Sequence, residues 1–280
     1  MKKQITFIAC CLFSCIGFAQ VQMPAPSPTQ TVSQDFGLGK IKIVYSRPSA
    51  KGRTMFKENS DLAPLGKLWR TGANSATVIS FTDFVNFDNK KIDSGSYALY
   101  TIPGKNEWEI ILNKGVNNGG TNGYKESDDV LRFKAKAYNT SKALSVENFT
   151  IQFENIKPES CDMLLLWGNT AVVIPVTTNI KDRIKVQIDE ALQSNNKPYF
   201  QAANFYNEWE KDYPKALEYT NKALEQNKEA FWIYMLKARL EKQLGDKVAA
   251  KESALKCINL AQKASNDDYV QQGNRLINSL

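Results

Sequence analysis

The chain has 280 residues, 42% of them hydrophobic and 23% charged, with a formal charge of +7 and no histidine. The missing histidine excludes Ser-His-Asp and Cys-His nucleophile pairs, histidine acid/base catalysis and the common zinc sites. The positive charge is mild, and no basic block carries interleaved aromatics, so nucleic acid is not an expected partner.

The first residues, MKKQITFIACCLFSCIGFAQ, combine a basic Lys2-Lys3 start, an apolar run from Ile5 to Phe18 and small residues at Gly17 and Ala19. This is the pattern of a signal peptide over residues 1–19, and it predicts export to the periplasm or beyond. The apolar run is shorter than the ~20 residues of a spanning helix, and no later stretch predicts a transmembrane segment. A lipid anchor through Cys15 is the alternative, because Leu12-Phe13-Ser14-Cys15 loosely follows a lipobox. Cleavage after Ala19 removes Cys10, Cys11 and Cys15 and lowers the charge by two. Cys161 and Cys257 remain, too few for a disulfide framework; they read as small buried apolar side chains.

Residues 20–35 are rich in Pro, Gln, Ser and Thr and read as a flexible linker. From 36 to 178 the pattern is strand-like: IKIVYS (41–46), ATVISFTDF (76–84), SYALYTIP (96–103), EWEIILN (107–113), VLRFKAKAY (130–138), NFTIQFENI (148–156), DMLLLWG (162–168) and AVVIPVTT (171–178). Turn signals such as Asp88-Asn89 and Gly168-Asn169 separate them. In VLRFKAKAY, Leu131, Phe133 and Ala135 alternate with Arg132, Lys134 and Lys136, giving one dry and one wet face. Strands without intervening helices predict an all-β antiparallel sandwich domain.

At 179 the period changes. Ile180, Ile184, Ile188 and Leu192 fall on one helical face, with Thr178 or Asn179 as the N-cap. An internal repeat follows over 199–264, in which Asp212 and Asp246 are 34 apart and Ala216 matches Ala250. That is the period of tetratricopeptide repeats. About two such units and a capping helix near 267–280 predict an all-α helical-hairpin (tetratricopeptide-like) domain over 179–280. Such arrays present a concave face to a protein partner. The alternative is that the helices only stabilise the β-domain.

Between the first two strands lies a Pro- and Gly-punctuated stretch, 47–74, that neither period explains. With its surroundings it resembles a bacterial family, domain of unknown function 2911. Its matching features are Tyr45, Arg47-Pro48-Ser49, Lys51-Gly52-Arg53, Gly66-Lys67, Trp69-Arg70-Thr71-Gly72-Ala73-Asn74, Tyr97, Thr101-Ile102-Pro103, Trp108 and Leu112-Asn113. Ser75 stands where many members carry Glu, and GGTNGY (119–124) where many carry Trp-Gly before the loop tyrosine. The resemblance implies a fold and an envelope setting, and no activity.

Read from the residues, Arg47, Lys51, Arg53, Lys67 and Arg70 suit a carboxylate or phosphate, because a guanidinium fork binds two oxygens at once. Trp69 offers a stacking face for a sugar, and Asn74 adds a polar side chain. These seven residues are the candidate ligand site, for an anionic or carbohydrate ligand. The alternative is a structural crossover whose arginines donate to carbonyls and whose tryptophan anchors the core. In the loop 117–129, Glu126, Asp128 and Asp129 match no calcium spacing and read as a solvated loop. No cofactor, metal site or catalytic residue is assigned. The sequence points to an exported accessory or binding protein. A glycan hydrolase using two of Asp83, Asp88, Asp93, Glu107 and Glu109 is one alternative, and a purely structural protein is another.

Overall fold

The computed structural model describes residues 23–280, so the signal peptide read at 1–19, with Cys15, lies outside the described residues. They form two compact units. One holds the chain before Phe36 together with Gly39–Ile156 and Cys161–Val176. The other holds Thr177–Leu280 with the short pieces Phe36–Leu38 and Lys157–Ser160.

The first unit is all-β and antiparallel. Its strands are β1 (Thr29–Phe36), β2 (Gly39–Ser46), β3 (Ala73–Phe81), β4 (Val85–Phe87), β5 (Lys90–Ile92) and β6 (Gly95–Ile102). The remainder are β7 (Glu107–Asn113), β8 (Asp129–Asn139), β9 (Val146–Glu154), β10 (Ser160–Gly168) and β11 (Thr170–Thr177). They join into one sheet in the order β1-β2-β3-β6-β7-β8-β11-β10-β9, with β4 and β5 attached at β11. The ends of this sheet approach each other. Phe149 N donates to Pro48 O at 2.9 Å and Ala50 N to Glu147 O at 2.9 Å, which curls the sheet nearly into a barrel.

All eight strands expected from the sequence are present. The linker expected over 20–35 is corrected from residue 29 onward, where β1 pairs along β2. Its inward-leaning positions are Gln30, Val32 and Gln34, so alternation there carries little hydrophobic contrast. Gln30 earns its place by accepting from the Tyr45 hydroxyl at 2.8 Å. The Asp88-Asn89 turn signal proves to join two three-residue strands. Both residues have positive φ, 48° and 59°, as a tight two-residue hairpin requires.

In β8, Leu131, Phe133 and Ala135 are buried, while Lys134 and Lys136 are exposed. In β6 and β7 both faces are buried. Ala76, Ala98, Tyr100 and Ile111 form a second small core, covered by Tyr124 of the loop after β7. A sheet covered on two sides loses its alternation in sequence.

The second unit is all-α. Its helices are α1 (Lys181–Ala191), α2 (Tyr199–Phe205), α3 (Tyr213–Gln226), α4 (Phe231–Gln243), α5 (Lys247–Lys263) and α6 (Asp267–Asn278); a π-helical turn, Tyr206–Glu210, extends α2. The N-cap position of α1 is Ile180, whose own side chain does not cap it. The Glu159 carboxylate does so, accepting from Ile180 N at 2.6 Å and Lys181 N at 3.0 Å. An acid at a helix start satisfies free N–H groups and complements the dipole, and this one arrives from outside the local sequence. Small residues let the later helices close up. Ala238, Ala254 and Cys257 are fully buried beside Met235 and Leu276. At Gly273 of α6 a Cβ would come within 2.5 Å of Ile258. Among the described residues no helix is long and apolar enough to cross a membrane.

Candidate functional site

Residues 47–72 connect β2 to β3 and return along the sheet. Trp69 N donates to Thr101 O at 2.7 Å, and Thr101 N donates back to Trp69 O at 2.9 Å. The backbone here is unusual. Lys51, Phe56, Ala63, Thr71 and Asn74 have positive φ, a region costly for residues other than glycine, most of all for a β-branched one such as Thr71. Thr71 is held there in a fully buried hydroxyl network: its own Oγ1 lies 3.1 Å from that of Thr101, and Thr77 Oγ1 donates to Thr71 O at 2.6 Å.

The structure separates the seven predicted site residues. Arg47 joins β2 to β9, donating from Nε to Phe149 O at 2.9 Å and from Nη2 to Thr150 Oγ1 at 2.6 Å. Arg53 folds back on its own turn, onto Ala50 O and Ser49 O. The side chains of Lys51 and Lys67 are exposed. Trp69 is buried at the centre of an aromatic cluster. It stacks on Trp167 at 5.7 Å and 14°, with Phe149 at 5.0 Å and Trp108 at 6.0 Å against its edges. Its Nε1 donates to Gly72 O. Trp69 therefore has no face to offer a sugar. The two clefts bordering the crossover, about 440 and 590 Å³, are lined by residues such as Lys57, Glu58, Leu65 and Lys105 and by none of the seven.

Arg70 and Asn74 do meet. Arg70 Nη1 donates to Asn74 O at 2.8 Å, while the Asn74 amide donates to Ser46 Oγ at 3.1 Å. The guanidinium lies against Gly120, where a Cβ would come within 2.5 Å of Nη1. A side chain there would push the guanidinium aside, and the Gly120 φ of +82° itself favours glycine. Beside it, Asn118 Nδ2 donates to the Tyr100 hydroxyl at 3.1 Å, which donates to Gly120 O at 3.0 Å. Burial raises the Tyr100 pKa above its ordinary value, and the Asn118 hydrogen bond and the Arg70 charge pull it back. Arg70 is half-buried, and no carboxylate pairs with it among the described residues.

Tyr124 of the same loop joins a cluster of the opposite kind, on β7 and β8. Arg132 donates to Asp129 Oδ2 at 2.8 Å, to Glu109 Oε1 at 3.1 Å and to the Tyr124 hydroxyl at 2.7 Å. Tyr124 in turn donates to Asp129 at 2.9 Å. Burial, then the hydrogen bond and charge of Asp129, push the Tyr124 hydroxyl up to about 12. Burial works against the Arg132 charge, but its bonds to Asp129 and Glu109 outweigh that and raise its pKa. Sequence reasoning missed this cluster, whose members lie up to 23 residues apart; the alternation of β8 marks Arg132 as outward-facing and says nothing of its partners. Glu109 is thereby taken, and two other carboxylates proposed for hydrolysis have lysine partners: Glu107 with Lys134 at 3.9 Å and Asp93 with Lys91 at 3.2 Å. Asp129 is likewise engaged by Asn113, Tyr124 and Arg132.

The family described as Protein of unknown function (DUF2911) matches residues 27–176, from just before β1 to the end of β11. The chain belongs to this family. The DUF2911 domain thus includes the first strand and coincides with the near-barrel and its Arg70 and Arg132 clusters. The helices lie beyond it. No curated protein matches the chain closely enough to lend it a function.

Cys161 and Cys257 are both free and buried, one in each unit. Burial, with the charge of Asp162, pushes the Cys161 thiol up to about 11. Burial does the same for Cys257, against a lowering by Arg239. Raised thiols are poor nucleophiles.

Proposed function

We propose that the protein is an exported, non-enzymatic binding protein of the cell envelope, whose DUF2911 domain takes an anionic or carbohydrate ligand and whose helices contact a protein partner. The observation that carries the ligand half is Arg70. It is a half-buried guanidinium against a glycine, and among the described residues it has one hydrogen bond, to a carbonyl, and no carboxylate partner. A partly buried guanidinium without a counter-charge keeps its charge available, and a bound carboxylate or phosphate would supply the partner. The site is narrower than the seven residues suggested by sequence: Arg70 and Asn74, joined by Asn118 and the Tyr100 hydroxyl. Arg47, Arg53 and Trp69 serve the fold, and Lys51 and Lys67 attract anions only at long range.

The β-sandwich remains the proposed finer description of the single antiparallel sheet. The helical unit reads as two tetratricopeptide-like hairpins. In support, Asp212 and Asp246, 34 residues apart, cap α3 and α5 in the same way. Each accepts from the N–H three residues on, at 3.0 and 2.9 Å.

The experiment is thermal-shift screening of the exported chain against phosphates, uronic acids and neutral sugars, with Arg70→Ala beside it. A ligand at a hundredfold excess over Kd stabilises by ~2.7 kcal/mol. The expected result is a shift in wild type that disappears in a folded Arg70→Ala. A shift that persists in Arg70→Ala removes Arg70 from the site. If no ligand shifts the wild type, the crossover is structural.

A further inference from the structure

A groove of about 550 Å³ runs between α4 and α6, wholly within the helical unit. Arg239 and Lys242 line it from α4 and Arg275 from α6, and no Asp or Glu does. Some cations elsewhere in the unit are neutralised by acids. Lys185, Lys222 and Lys237 each pair with an acid one turn away, Asp189, Glu218 and Glu241. In the groove the holders are neutral. Arg239 donates to Gln272 Oε1 at 2.7 Å and Lys242 to Ser279 Oγ at 2.7 Å. A neutral acceptor orients a cation without cancelling its charge. Arg275 has neither an ion-pair nor a hydrogen-bond partner among the described residues.

The lining also indicates what fits. Two guanidinium forks match carboxylates in a bidentate way. Gln243 and Gln272 both donate and accept, as a peptide backbone requires. No aromatic residue lines the groove, so it lacks the stacking platform that single-stranded nucleic acid uses. We propose that the α4–α6 groove binds an acidic segment of a partner protein, with Arg239, Lys242 and Arg275 receiving its Asp or Glu side chains. This rests on the partner-contact half of the function proposed above and gives that partner its chemistry.

The test is fluorescence anisotropy of a labelled decapeptide alternating Glu and Ala against the exported chain. An Arg239→Gln/Arg275→Gln double variant is compared with Lys185→Gln, a cation outside the groove, and with Arg70→Ala. The expected results are salt-sensitive binding, at least tenfold weaker in the double variant at unchanged melting temperature and unchanged in both controls. A peptide with Gln for Glu should not bind. Equal binding by the double variant, no binding at all, or tighter groove-dependent binding of an oligonucleotide would each overturn the proposal. A photo-crosslinking form of the peptide separates the two failures. Attachment to the helices away from the groove sinks the groove and keeps the partner-contact reading, whereas attachment only to the DUF2911 domain, or none, sinks both.

Discussion

Arg132 of the DUF2911 domain and Arg275 of the helical unit carry the same guanidinium in opposite surroundings. Arg132 reaches two carboxylates and a tyrosine hydroxyl within 3.1 Å. Arg275 lies in a groove with two other cations and, among the described residues, no acid in its lining. Arg70 stands between them, half-buried and bonded once, to a carbonyl. The density of arginine along a sequence therefore does not mark a site. What marks it is whether the protein already supplies the acceptors, since an internally satisfied arginine has little left for a ligand.

Substitutions can press on that distinction. The largest effect is expected from the residue that most firmly makes the crossover structural. Trp69→Ala should cost about 3–5 kcal/mol, as deletion of a buried aromatic does, seen as a lower urea midpoint for the DUF2911 domain. A midpoint near wild type would return Trp69 to the ligand site. Next, Arg132→Ala leaves Asp129 and Glu109 without their cation and should cost about 2 kcal/mol, reduced from a fully buried pair because Arg132 and Glu109 are partly in water. Arg132→Lys should recover only part of it, since a single ammonium cannot reproduce the fork.

Each unit also carries a titration marker. The Cys161 and Cys257 thiols have folded pKa values of about 11 against an ordinary 9.0. Above pH 9 the unfolded thiol releases its proton while the folded one keeps it, so stability falls as pH rises from 9 to about 11 and is complete below 9. The loss is on the order of 2 kcal/mol per thiol. Cys161→Ala should flatten this fall in the β-unit alone, and Cys257→Ala in the helices alone, read by denaturation at pH 8 and pH 10.5. Arg47→Ala should cost about 1 kcal/mol through its two hydrogen bonds and leave any ligand shift intact, unlike Arg70→Ala. Smallest of all, Arg275→Gln should change stability by less than about 0.5 kcal/mol. A larger loss would mean that the groove arginine is structural after all.

Much of this architecture is legible along the chain. Alternation in VLRFKAKAY gives β8, and the repeated Asp at 212 and 246 marks the starts of α3 and α5. The strand at 29–36 escapes because its inward positions include Gln30 and Gln34, one of which is wanted for a hydrogen bond to Tyr45. The α1 cap escapes because Glu159 lies 21 residues before Ile180. The candidate site is legible only as an excess of cations; the local sequence treats Trp69 and Arg70 alike, as adjacent residues of one irregular stretch.

The sequence by itself determined the division of the chain, because side-chain periods of two and of 3.6 are local properties that only strands and helices satisfy. It also determined which chemistries are absent, through the missing histidine. Tertiary structure alone decided which cations are engaged. Trp69 is covered by Trp167 and Phe149, and Arg47 is bonded to Thr150, a hundred and three residues away. Arg70 is met by the glycine of a distant loop. These contacts depend on which strands become neighbours when the sheet curls, and no stretch of sequence carries that information until the chain has closed on itself.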